Sequence, residues 1–145
     1  MRALAFLAAA RLAIRLLPLE IYRGSLGAMR AGAGLSSELA DGTLPTTTQQ
    51  YWARRVERAA LRLPGENKCF AKAVALHWLL RWEGDEGTLV VAIHLHERSA
   101  HHAYHAWLEC GGAMLVGACD RTEYRELMRF TFGEASRPVL QGEAV

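Results

Sequence analysis

LPGENKCFAKAVALHWLLRWEGDEGTLVVAIHL, residues 63–95, carries two hydrophobic periods in succession, and the change from one to the other decides the fold. Pro64 and Gly65 break the chain that precedes them, and Asn67 is suited to cap a helix through Cys69, Phe70, Val74, Leu76, Trp78, Leu79 and Leu80 that stops at Gly84. That helix is apolar nearly all round, which predicts burial on every side. Beyond Gly87, Leu89, Val91, Ile93 and Leu95 alternate with Val90, Ala92, His94 and His96, the two-residue period of a strand.

Upstream, residues 51–63 place Trp52, Val56, Ala59, Ala60 and Leu63 three and four apart, with Arg54, Arg55, Glu57, Arg58 and Arg62 mostly elsewhere, so an amphipathic helix is expected. Residues 23–48 are rich in Gly, Ser and Thr, with Asp41, Gly42 and Pro45 as turn formers, and read as a connector. Downstream, a loop at 97–100 leads to strand candidates at 104–109 and 113–118, joined across Gly111 and Gly112 as a tight hairpin. Asp120 and Glu123 have capping-box spacing, which predicts a short helix or turn over 124–130. The expectation is an α+β chain, N-terminal helices followed by a small antiparallel sheet. It divides into a helix plus connector at 1–48 and a domain at 49–145.

With 145 residues, about half of them apolar, the chain can bury one core. Seventeen Lys plus Arg against fifteen Asp plus Glu leave a net charge of +2, and no basic stripe interleaves with aromatics, which argues against a nucleic-acid partner. Three cysteines, Cys69, Cys110 and Cys119, are an odd number without disulfide-framework spacing, as in a reducing compartment, and the expected location is the cytoplasm. The apolar run at 3–19 is interrupted by Arg11 and Arg15 and ends near Pro18. Two mid-span arginines cost about 2.5–3.5 kcal/mol each on insertion scales, so a packing or partner-binding helix is the better reading than a membrane span. Phe6, Leu7, Ile14 and Leu17 supply its apolar side.

Cys69 is the candidate nucleophile. A cysteine in the first turn of a helix feels the positive end of the dipole, which favours thiolate, and Lys68 adds to the effect. First-turn amides also suit an oxyanion on an attacked carbonyl. The thiol needs a base, and His105 sits on a strand whose alternation puts His105, Trp107 and Glu109 on one face. Trp107 shields that pair or fills the core. Asp120, at the end of the next strand, is the candidate orienter of the imidazole, with a helix cap as its competing role. Glu109 is second choice, since four residues along a strand span about 13 Å.

Leu63-Pro64-Gly65, then Cys69, Phe70, Ala73, Ala75, Leu76, Leu79, Leu80 and Gly84, then His105-Ala106-Trp107-Leu108-Glu109, resemble the stand-alone leader peptidase of lasso-peptide biosynthesis over residues 50–130. The resemblance implies a transglutaminase-like branch of the papain-like folds. It also implies an enzyme that cuts a precursor peptide after its leader, so that a separate ATP-dependent cyclase can close the macrolactam ring. Cys69 and His105 fall on the catalytic Cys and His. In that family the orienting aspartate often lies some twelve residues past the histidine, where this chain has Gly117, with Asp120 three residues on. The implied partners are the precursor peptide, a leader-binding (RiPP recognition element) protein and the cyclase; no cofactor or metal is called for.

Two other classes fit parts of the sequence. His94, His96, His101, His102 and His105, with Cys110 and Cys119 nearby, have the donor types of a zinc module, although neither Cys-x-x-Cys nor His-Glu-x-x-His spacing occurs. A transglutaminase-like acyltransferase, or a scaffold without catalysis, would keep the fold and change the acceptor or lose the chemistry.

Overall fold

A computed structural model describes residues 1–34, 44–65, 69–96, 103–111 and 113–132. The elements run α1 (Arg2–Leu16), α2 (Leu19–Tyr22), a 3-10 turn (Arg23–Leu26), β1 (Ala28–Gly34), α3 (Thr47–Arg62), α4 (Cys69–Trp82), β2 (Thr88–His94), β3 (Tyr104–Cys110), β4 (Ala113–Val116), a second 3-10 turn (Arg121–Glu123) and β5 (Tyr124–Thr131). The expected α+β architecture is what forms: helices, then a five-stranded antiparallel sheet in the order β1-β5-β2-β3-β4.

α4 is the axis of the core. Ala71, Ala73, Val74, Ala75, Leu76, His77, Leu79 and Leu80 are all buried, which is why the helix shows no polar face in sequence. α1 packs on it through Ala3, Leu7 and Ala10, α3 through Ala53, Val56 and Ala59, and the sheet closes the far side with Leu89, Ala106, Leu108, Val116 and Phe130. The small residues on α1 and α3 let the helix backbones come close to α4. α3 begins at a full capping box: the Gln49 amide donates to Thr46 Oγ1 (3.1 Å) and the Thr46 amide to Gln49 Oε1 (2.8 Å). The Gln49 side-chain amide then donates to Asp85 Oδ1 and the Glu86 carbonyl, tying the start of α3 to the loop that leaves α4.

A histidine also sits inside this core. His77 Nε2 donates to the Leu26 carbonyl at 2.7 Å, and its ring stacks on Phe132. Burial pushes its pKa down to about 4, so the ring is neutral at pH 7.

Two expectations give way. The stretch 23–48 is not all connector, because β1 pairs with β5 at the sheet edge. Its sequence, AMRAGAG, has too few large side chains to announce a period, and its register comes from β5. Gly27, at φ +93°, opens the strand where a Cβ would collide with the Thr131 carbonyl. The second correction concerns 124–130, which is the strand β5 and not a helix: paired with both β1 and β2, it gains two ladders, and the cap at Asp120 holds only the three-residue turn before it. Asn67, Lys68, the 97–102 loop with His101 and His102, and Gly112 lie outside the described residues. Among the described residues, no helix is long and apolar enough to cross a membrane.

Candidate active site

The sheet has two faces with different neighbours. Ala106 and Leu108 of β3 point to α4, whereas Val90, Ala92 and Trp107 form a second small cluster on the opposite face with Met114, Cys119 and Tyr124. His105 pairs with Ala92 across the β2–β3 ladder and so shares the Trp107 face. β4 pairs only with residues from Leu108 to Cys110, which leaves the His105 end of β3 uncovered by a strand. The chain coming off β4 crosses that opening as a strap, residues 117–123.

Cys69 is the first residue of α4 and is half-buried. Its thiol hydrogen-bonds His105, and that bond holds its pKa below the ordinary thiol range; the charge on Lys72, one turn along α4, and the backbone amide of Cys69 itself act in the same direction. Lys72 is thus a cationic neighbour of the thiol, and Lys68 lies outside the described residues. Lys72 is itself held by Glu57 of α3 at 3.0 Å.

His105 receives partners on both sides. Its Nε2 lies 2.7 Å from the Gly117 carbonyl oxygen. A carbonyl only accepts, so Nε2 carries a proton. Hydrogen bonds to Cys119 and Cys69, with the Gly117 carbonyl and the charge on Cys69 adding to them, push the imidazole pKa up to about 10, against the opposing effect of partial burial. The Tyr124 ring lies 5.3 Å from the imidazole, tilted 32°, Trp107 lies 6.2 Å away, and the two rings meet edge to face at 6.3 Å. Burial holds the Tyr124 phenol above its usual range, with the nearby Cys119, Glu123 and Cys69 adding to that. Thiolate and imidazolium are thus favoured together, an arrangement that suits a thiol for attack on a carbonyl carbon.

The structure brings Cys69 and His105 together; it does not bring Asp120 to them. The Asp120 carboxylate is fully exposed, and its Oδ1 accepts from the Thr122 amide (3.0 Å) and the Thr122 hydroxyl (2.6 Å). The capping role competes successfully because Thr122 is two residues away, whereas the imidazole is already satisfied by Gly117, the position twelve residues past it. Gly117 has φ +75°, and a Cβ there would run into the Ala106 carbonyl and stand 3.1 Å from Trp107 Cα. Only a glycine lets the strap approach β3 closely enough for this bond.

Glu109, the second-choice orienter, is also occupied elsewhere. Its buried carboxylate accepts from Trp107 Nε1 (2.9 Å), Arg121 Nη1 (2.6 Å) and Arg129 Nη2 (2.8 Å). Sequence reasoning missed Cys119 and Tyr124 as neighbours of the imidazole. Cys119 drew notice only as a soft donor, and the strand period of 124–130, which would have carried Tyr124 back to β2, was hidden by the capping signal. His94 packs edge-on against Tyr124 (4.9 Å) and stands 3.7 Å from Glu123, while the His96 amide donates to His94 Nδ1. Among the described residues no three His, Cys, Asp or Glu side chains converge to hold a metal ion.

The family model described as the transglutaminase-like superfamily matches residues 13–129, which takes in α4, the whole β2–β4 region and most of β5. No curated protein and no solved structure matches the chain. A thiol opening a buried helix, an imidazole on the neighbouring antiparallel strand, and a family match across most of its length agree: the chain belongs to the transglutaminase-like superfamily.

Proposed function

We propose that the chain is a cysteine peptidase that removes the leader from a lasso-peptide precursor, acting in the cytoplasm with a leader-binding protein and the macrolactam cyclase as partners. The observation that carries the catalytic part is Cys69 at the head of α4 beside His105, whose imidazole holds the thiol pKa down while its Nε2 is held by a backbone carbonyl. The assignment to leader peptides rests on the Leu63-Pro64-Gly65 to Cys69 spacing and the His105-Ala106-Trp107 run.

In the cycle, the Cys69 thiolate attacks the carbonyl carbon of the leader–core bond. The developing oxyanion takes the amide of Cys69, which already faces its own sulfur, at the positive end of α4. The C–N bond then breaks as the His105 imidazolium gives its Nδ1 proton to the leaving amine of the core. Neutral His105 next takes a proton from water, the hydroxide attacks the thioester, and thiolate leaves with the leader carboxylate released. Throughout, Nε2–H stays on the Gly117 carbonyl, which fixes the tautomer and ring orientation without ionising. Hydrolysis and transfer to an amine share the first half of this cycle and differ only in the acceptor of the acyl group.

Mass spectrometry of a leader–core precursor incubated with the wild type and with Cys69→Ala, both with the leader-binding protein, tests the proposal. Release of an intact leader by the wild type alone supports it. Equal cleavage by both removes Cys69 from the chemistry, and an amine adduct in place of the free acid makes the protein an acyltransferase.

A further inference from the structure

The strap that carries Gly117 and Cys119 has little apolar material to hold it. Its 3-10 turn, Arg121–Glu123, buries no residue, and Asp120 at its start is exposed. Yet both of its ends touch the imidazole, Gly117 through its carbonyl and Tyr124, the first residue beyond it, through its ring. Something other than hydrophobic packing must fix it.

Arg121 reaches from the strap to a deeply buried charge. Its Nη1 donates to Glu109 Oε2 at 2.6 Å, and its guanidinium lies 5.7 Å from the centre of the Trp107 ring. Glu109 is 3% exposed and would be costly to leave uncompensated. Arg129 meets its other oxygen at 2.8 Å and is in turn held by buried Glu126. Two carboxylates and two guanidiniums thus join three pieces of chain: β3 through Glu109, β5 through Glu126 and Arg129, and the strap through Arg121. Apolar residues could stabilise such a place as well as an ion network does; what a network adds is a fixed position for each partner.

We propose that the Arg121–Glu109 ion pair is a positioning clamp for the catalytic histidine, pinning the strap to the open sheet face so that the Gly117 carbonyl and Cys119 stay on His105. The clamp rests on the reading of Cys69 and His105 as the working pair. Arg121 sits four residues from Gly117, and the Glu123 carbonyl at the far end accepts from the Leu95 amide at 2.9 Å, so a strap released at Arg121 swings between the Val116 end of β4 and that tie. A 2.7 Å bond to Nε2 does not survive such a swing, because hydrogen bonds weaken steeply with misalignment. The groups that face the imidazole are Cys69 from α4, Cys119 and the Gly117 carbonyl from the strap, Tyr124 from β5 and Trp107 from its own strand, with Lys72 acting on Cys69 and His94 behind Tyr124.

The test uses the thiol and not a substrate: the rate of Cys69 alkylation by iodoacetamide against pH, with peptide mapping to separate Cys69 from Cys110 and Cys119, in the wild type, Arg121→Met, Arg121→Lys and Glu109→Gln. Loss of the charge-assisted hold on the imidazole is expected to move the Cys69 profile to higher pH in Arg121→Met, slowing alkylation near pH 6 by about tenfold, the equivalent of one such hydrogen bond. Arg121→Lys, which keeps the charge, is expected to restore part of the wild-type profile. Where Arg121→Met does not fold by circular dichroism, Glu109→Gln gives the same readout with the side-chain shape retained. A variant that melts at lower temperature but keeps the wild-type profile makes the pair structural only and overturns the proposal. An ordinary thiol profile for Cys69 in the wild type overturns both the clamp and the Cys–His pair. A wild type that cleaves no leader but shows the Arg121→Met shift keeps the clamp and removes only the peptidase reading.

Discussion

Gly117→Ala is the substitution on which the orientation of His105 turns. At φ +75° an alanine sits in the left-handed region, which costs an L-residue roughly 1–2 kcal/mol. The new Cβ also meets the Ala106 carbonyl and lies 3.2 Å from Trp107 Cβ, on a strand whose Trp107 is fully buried and cannot retreat. Overpacking of that kind costs about 1–3 kcal/mol. If the strap keeps its place, the two effects together lower the unfolding free energy by about 2–5 kcal/mol, or Tm by roughly 6–20 °C for a chain of this size. If instead the strap lifts, the Gly117 carbonyl leaves Nε2, stability is largely kept, and the pH profile of Cys69 reactivity shifts upward. Urea unfolding followed by tryptophan fluorescence, with iodoacetamide kinetics on the same sample, separates the two outcomes. An alanine variant within about 0.5 kcal/mol of wild type and with an unmoved thiol profile refutes the close approach of the strap to β3.

Asp120→Asn is expected to leave the proposed leader cleavage and Cys69 reactivity unchanged, because its carboxylate caps Thr122; a large loss of Cys69 reactivity would return it to the candidate site. Leu76→Ala, at a fully buried position of α4, should cost about 2–5 kcal/mol in urea unfolding without altering the pKa of Cys69, which lies two turns away. His77 predicts acid sensitivity: its folded pKa of about 4 lies below the free value of 6.5, so the unfolded chain binds more protons between these limits and stability falls as the pH drops through that window. The contribution is about 3 kcal/mol at full effect, and His77→Gln, which keeps a donor for the Leu26 carbonyl, should flatten the slope of unfolding free energy against pH between 4 and 6.5.

Much of this fold was legible because its main elements carry strong local signals. The unbroken apolar surface of α4, the alternation of β2 and the glycines after β3 each name one structure, and tertiary packing agrees with them. β1 was not legible because alanine and glycine have no period to show, and β5 was misread because a genuine cap at Asp120 precedes it. A capping signal reports only where a turn begins; how far the chain then runs, and as helix or strand, is decided by pairing with β1 and β2, which lies outside any local window. The site divides in the same way. Cys69 and His105 could be proposed as a pair from residue type and element order. The orienter could not, because the group that holds Nε2 is a backbone carbonyl, and every residue has one.

That carbonyl explains why no carboxylate stands in its place. A side chain at 117 would need a Cβ in space taken by the Ala106 carbonyl, so an aspartate there could reach His105 only by pushing the strap away from β3. With the strap drawn in, the glycine carbonyl itself fills the acceptor position. The exchange has an electrostatic consequence. A neutral dipole favours the imidazolium less than an ionised carboxylate would, and hydrogen bonds to charged groups are the stronger class. The rest of the stabilisation must come from neighbours, and here it comes first from Cys119, two residues along the same strap, and then from Cys69. One close approach of the strap therefore delivers both the orienting oxygen and the second thiol, and the conditions that loosen it are expected to lose the ring orientation and the raised imidazole pKa together.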